Sequence, residues 1–264
     1  MSPAAFHLLA LLVLVGTASS QDDLAERVGK PDPTLAGGVE IADPGLKIED
    51  DGNAREAVAR FQKESKEVRK DDAKVIEKLQ WLGGFDHPLI HAEAKKWIKD
   101  RNHNVSVAAV VAIARQASDR ERAGGTLLAT MKAEKRTNVI CACLVGMGRL
   151  GYDNKAAYRE AEKYYAKDTG ETHKAATRYF GFLKAKEAFR MLAEKLDEPR
   201  SSMSPDDPRN PPASYWKERW IEWAGNVYYT RWALKQIVEG ETFEATKEAQ
   251  QWAESTGKEF GIKW

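Results

Sequence analysis

The sequence predicts an all-α protein: an α-solenoid of helix pairs with a tryptophan-rich helical cap at its C-terminal end. Three observations predict it. From Ala54 onward apolar residues recur at helical spacing, and almost nothing alternates as a half-buried strand does. Four apolar segments repeat at a nearly constant interval of about 34 residues. Near the end of the chain Trp216, Trp220 and Trp223 stand at i, i+4 and i+7, on one helical face.

The elements follow in order. Residues 1–20, "MSPAAFHLLALLVLVGTASS", hold no Asp, Glu, Lys or Arg, and their apolar run from Leu8 to Val15 is short for a bilayer. Small residues Ala18 and Ser20 precede a cut before Gln21, so the segment reads as a secretory signal peptide and the chain as exported, periplasmic or secreted. No Lys or Arg precedes the apolar run; a retained membrane anchor is the alternative. Residues 21–53 are rich in Asp, Gly and Pro and read as a flexible acidic leader. The chain carries 41 basic and 40 acidic residues, a formal +1, which argues against nucleic acid as the main partner. Its two cysteines, Cys141 and Cys143, point apart on a helix and read as small, partly buried side chains, neither bridged nor metal-binding.

From Ala54 strong helix formers carry Ala57, Phe61, Val68, Val75, Leu79 and Leu82 on one face. The repeating segments are "VIEKLQWLGGFDHP", "VAAVVAIARQASDR", "CACLVGMGRLGYDN" and "KAATRYFGFLKAKE", in which Leu82, Gln116, Leu150 and Leu183 are equivalent. Between them lies a second helical stretch in which Trp97, Met131 and Tyr165 recur at the same interval. Two short amphipathic helices cannot bury their apolar faces alone; stacked, such pairs share one core. The third segment contains "VGMGRLG", the G-x-G-x-x-G of a dinucleotide-binding turn. That turn needs a preceding strand and a βαβ frame, and neither is present in the pattern. In the repeat frame Gly148 is equivalent to Ala114 and Gly181, where close helix contact wants a small residue. Gly151 falls just past the helix, where a left-handed cap favours glycine.

These pairs resemble HEAT repeats. In "HPLIHAEAKKWIKDRNHNVSVAAVVAIA" Pro88 opens the first helix, Asp100 lies in the turn and Val105–Ala114 form the second. The resemblance covers Ala73 to Leu196, within repeats read over residues 54–200, and departs from the pattern at the bulky Tyr179 and Phe180. The leader, repeats and tryptophan-rich tail together look like secreted bacterial HEAT-repeat proteins. The resemblance implies a binding scaffold and no reaction.

Residues 201–213, rich in Pro, Ser and Asp, read as a linker, and residues 214–264 as the helical cap over the last apolar face. Strict helical spacing favours core roles for Trp216, Trp220 and Trp223; exposed, they would offer flat faces to sugar rings. His87 and His91 are one turn apart, but "HPLIH" lacks a third ligand and the Glu of a zinc peptidase. Pro88 in the first turn and Asp86 as its cap account for the local composition. No nucleophile elbow, phosphate loop or C-x-x-C occurs. The expectation is an exported protein-interaction scaffold without catalysis or cofactor. Its partner would be another protein, with Arg115 and Arg149, matched at the repeat interval on the ridge of second helices, as the contact residues. The alternatives are a carbohydrate- or cell-wall-binding protein using the C-terminal tryptophans, and a HEAT-like lyase or hydroxylase. Against the last, the clustered His-Glu pairs of an iron site are missing.

Overall fold

The polar stretch that follows the leader folds as two helices where its apolar stripe reads as continuous. Helix α1 is Asp51–Glu67 and helix α2 is Asp72–Leu82. The break has a local cause: the Asp71 carboxylate accepts from the Lys74 N–H at 3.3 Å and starts a new helix. Asp50 starts α1 in the same way, accepting from the N–H groups of Gly52 and Asn53. The computed structural model describes residues 35–36, 39–40, 43–167, 170–203 and 207–264. The signal segment over residues 1–20 and the leader as far as residue 34 lie outside the described residues.

Nine further α-helices follow among the described residues. Helix α3 is Pro88–Lys95, α4 is His103–Ala114, α5 is Arg120–Ala133 and α6 is Thr137–Arg149. Helix α7 is Lys155–Lys167, α8 is Glu171–Leu183, α9 is the short Phe189–Ala193, α10 is Ala213–Ile237 and α11 is Thr246–Ser255. The described strands are two residues each. Strands β1 (Leu35–Ala36) and β2 (Val39–Glu40) pair antiparallel; β3 (Leu46–Lys47) pairs in parallel with β4 (Phe85–Asp86). This all-α architecture contains no described helix long and apolar enough to cross a membrane.

Every second helix belongs to an inner series. Helix α4 packs on α2 and α6, α6 on α8, and α8 on α10, while α1, α3, α5 and α7 each lie against the inner helix that follows them. The sequence of each layer reflects this. Inner helices α4 and α6 are buried on every side over Val105–Ala114 and Val139–Gly148, so their apolar residues run almost without interruption. Outer α5 and α7 bury one stripe only: Ala123, Gly124, Leu127 and Met131 in the first, Ala157, Ala161 and Tyr165 in the second.

Three of the four repeat-equivalent positions are buried. Leu82, Gln116 and Leu150 are buried and Leu183 is half-buried. Gln116 occupies an apolar position because its amide is fully used. Its Nε2 donates to the carbonyls of Phe85 and Ala112, and its Oε1 accepts from the His87 N–H at 2.9 Å. The glycine stretch lies inside and just beyond α6. A Cβ on Gly148 would stand 3.0 Å from the Tyr179 Cα, and one on Gly181 3.0 Å from the Ala233 Cα and 2.4 Å from a Trp232 ring carbon. These glycines let α6 approach α8 and α8 approach α10. Gly151, at φ +62°, ends α6 with Tyr152 N–H donating back to Met147. Lys184, at φ 51°, makes the same turn one unit later, with Ala185 N–H donating to Phe180.

The end of the leader is held to the inner helices. Gly45 N–H donates to the Arg115 carbonyl, Leu46 N–H to Gly84 and Ile48 N–H to Asp86, at 2.8 to 3.1 Å. Helix α1 then begins at Asp51, three residues before the leader boundary read at Asn53–Ala54. At the other end α9 packs on α10 and α11. Thr246 anchors α11 by donating its hydroxyl to the Ala193 carbonyl and its N–H to Asp197. Phe189, Phe243 and Trp252 gather between them with ring centroids 5.6 to 5.8 Å apart.

Candidate functional site

Arg115 and Arg149 end successive inner helices, α4 and α6. Arg115 is engaged within the chain: its Nε donates to the Asp43 carbonyl at 2.8 Å while its own carbonyl receives Gly45 N–H. Arg149 is exposed, with its guanidinium 5.1 Å over the Phe182 ring. One unit further Arg178 is buried with its guanidinium 4.7 Å from the Tyr229 ring centre.

Of the three tryptophans, only Trp220 is buried. Trp216 and Trp223 are half-buried, and their indole N–H groups are donated to Asn210 Oδ1 and the Leu196 carbonyl, both at 3.2 Å.

The histidines do not converge. His87, not Asp86, caps α3: its Nδ1 accepts from Leu89 N–H at 3.1 Å, and its Nε2 meets Asp51 at 3.1 Å. Asp86 is withdrawn from the cap because Ser118 donates to it twice, from the backbone N–H and the hydroxyl. His91 meets the Thr126 hydroxyl instead, and burial pushes its imidazole down to about 4. No group of three or more His, Cys, Asp or Glu among the described residues is placed to hold a metal. Cys141 and Cys143 are buried free thiols; burial pushes Cys141 up to about 12 and Cys143 upward too.

The arrangement best built for binding lies elsewhere, between α1 and α3. A groove of about 530 Å³ is lined there by Gln62, Lys66, Arg69, Glu93, Lys96, Trp97, Lys99 and Asp100. It continues around the helix turns into a recess of about 520 Å³ that shares Arg69, Lys99 and Asp100 and adds Lys70, Asp72 and Arg101. Along α1 it meets a smaller recess of about 250 Å³ that shares Gln62, Glu93 and Lys96 and adds Arg55.

Its acids are satisfied from within. Glu93, nearly buried, accepts from Gln62 Nε2 at 2.7 Å and Lys96 Nζ at 2.6 Å. Asp100 pairs with Arg69 at 3.3 Å and caps the turn by accepting from Asn102 N–H; Asp72 accepts from Asn102 Nδ2 at 2.6 Å. Trp97 forms the apolar wall, edge-on to Phe61 at 5.6 Å and covered on one face by the Arg69 guanidinium at 4.4 Å. Arg136, from the next unit, braces the turn by donating to the Asp100 and Ile98 carbonyls. That leaves Arg55, Lys66, Lys70, Lys99 and Arg101 exposed and without an ion pair among the described residues. The lining is therefore cationic in a chain of formal charge +1.

Sequence reasoning misses this groove because each lysine, taken alone, sits on a solvated helix face. One signal was available: Lys66 and Lys99 are separated by the repeat interval, so stacking brings them to one side. Comparison of the chain with protein-family models, with curated proteins and with solved structures gives no match.

Proposed function

We propose that this chain is an exported, HEAT-like α-solenoid that binds another protein and carries out no reaction of its own. What supports the reading is the succession of inner-helix contacts, α2 to α4 to α6 to α8 to α10, with an outer helix on each of the first four. Units that each bury one face against the next form an extended scaffold, and α10 with α11 covers its last face as the tryptophan-rich cap. On this reading the protein partner meets the cationic groove between α1 and α3 rather than Arg115, because the Arg115 side chain already holds Asp43. Arg149 remains an exposed contact on the inner ridge. The test is affinity capture of the tagged chain, residues 21–264, from the extracytoplasmic fraction of its source cell, with mass spectrometry of what co-elutes. A reproducible, near-stoichiometric protein is expected; recovery of none under gentle elution overturns the reading.

A second reading, binding of carbohydrate, is favoured by one observation. Tyr215 is exposed at the start of α10, edge-on to the half-buried Trp216 at 5.2 Å. Quenching of tryptophan fluorescence by cell-wall oligosaccharides, lost in Trp216→Ala, would support it. Absence of quenching by a panel of such sugars would remove it.

A further inference from the structure

We infer that the groove between α1 and α3 receives an extended acidic peptide segment, whose carboxylates meet Lys66, Lys99, Lys70 and Arg101. The inference rests on the scaffold reading for the existence of a protein partner, and it names the chemistry that partner presents.

The first argument is charge. The three acids of the lining already have partners, so the remaining cations line the recess without an ion pair among the described residues, and their summed charge makes it attractive to carboxylates. The second is shape. The three recesses join through shared residues along α1 and the turn after it, from Arg55 to Lys70. At helical rise that span is about 22 Å, which matches about seven residues of extended peptide. A small anion would instead need buried donors converging on one point, whereas these lysines are exposed on flexible stems. The third argument separates peptide from nucleic acid. Single-stranded nucleic acid is held by bases stacked on aromatic faces, and Trp97, the aromatic ring of this lining, has a face occupied by Arg69.

The experiment is fluorescence anisotropy of a fluorescein-labelled hepta-glutamate peptide titrated with the chain. Saturable binding is expected at low salt, weakening as salt is raised. Lys66→Glu combined with Lys99→Glu is expected to weaken it at least about tenfold, since each reversal replaces an attraction by a repulsion. The control reverses two exposed lysines of the C-terminal segment, Lys247→Glu with Lys258→Glu, and is expected to change affinity less than about twofold. Lys66→Gln with Lys99→Gln, read beside far-UV circular dichroism, repeats the test with a smaller perturbation. Failure of the native chain to bind, equal losses in groove and control variants, or tighter binding of a 20-nucleotide single strand through the same lysines each overturns the proposal. The two readings also fail separately. A captured protein that stays bound to the Lys66→Glu, Lys99→Glu chain leaves the scaffold and removes the groove. Peptide binding with no captured protein does the reverse.

Discussion

Replacing Arg136 by Met tests how the groove is kept in shape. The guanidinium donates to the Asp100 carbonyl at 2.7 Å and the Ile98 carbonyl at 3.3 Å, and pairs with Glu134 at 2.6 Å. The two carbonyl contacts cross from the start of α6 to the turn between α3 and α4, so they join neighbouring units. A hydrogen bond from a charged group contributes about 1.5–3 kcal/mol when shielded. The Arg136 side chain is 33% exposed, so water recovers part of each contact. The expected cost at pH 7 is about 2–3 kcal/mol, a fall in Tm of roughly 5–10 °C for a chain of this size. Glu134→Gln removes the ion pair and spares the carbonyl contacts, and should cost about 1 kcal/mol.

The pH dependence separates the two contributions further. Arg136 holds the Glu134 carboxyl down at about 2, against 4.5 ordinarily. A carboxylate depressed in the fold stabilises it above the unfolded value, and that stabilisation is lost as pH falls from about 4.5 toward 2. Urea unfolding followed by far-UV circular dichroism at pH 7 and pH 3 measures both. The native chain should lose more stability between the two pH values than Glu134→Gln does. If Arg136→Met costs no more than Glu134→Gln, within about 0.5 kcal/mol, the carbonyl contacts do not brace the turn and the reasoning fails.

Three further outcomes follow from the packing. Gly181→Val pushes side-chain atoms into Ala233 and Trp232 and should destabilise by roughly 1–3 kcal/mol, whereas Gly225→Ala, with nothing within 4 Å, should gain up to about 1 kcal/mol from helix propensity; urea midpoints of the two variants compare them. His91, neutral in the fold and down at about 4, should show no imidazole titration by NMR above pH 5. The unfolded chain takes up that proton near 6.5, so His91 stabilises the fold above that pH and the contribution, up to about 3 kcal/mol, is lost as pH falls toward 4; His91→Asn should lack this loss. Cys141 and Cys143, buried with thiols pushed upward, should not react with a thiol reagent at pH 8 until urea unfolds the chain, and reaction of either in the native state would show that the α6–α8 contact opens.

Much of the fold is legible in the sequence because its causes are local. Helix propensity, the uninterrupted apolar runs of α4 and α6, and the left-handed turn at Gly151 all depend on residues within one or two helical turns. The recurrence of the helix-pair unit adds the stacking order and marks Gly148 and Gly181 as contact points. Even so, two local readings miss. Asp71 ends the apparent stripe between α1 and α2, because a capping carboxylate in a polar run is one acid among several until its backbone partner is seen. His87 takes the cap of α3 because Ser118, 32 residues away, claims Asp86.

That second case shows where sequence ends. By itself the chain determined that it would be helical and which face of each helix would be apolar, since side-chain spacing alone decides that; how deeply each apolar residue is buried, as with the half-buried Trp216 and Trp223 beside the buried Trp220, depends on the neighbouring helix. Only the tertiary structure decided which polar groups are left over. Arg115 is spent on Asp43, Glu93 on Gln62 and Asp100 on Arg69, all between residues far apart in the chain, while Lys66 and Lys99 line one groove with no ion pair among the described residues. A charge acquires meaning from what stands within a few ångströms of it, and that distance is set by how one helix pair docks on the next.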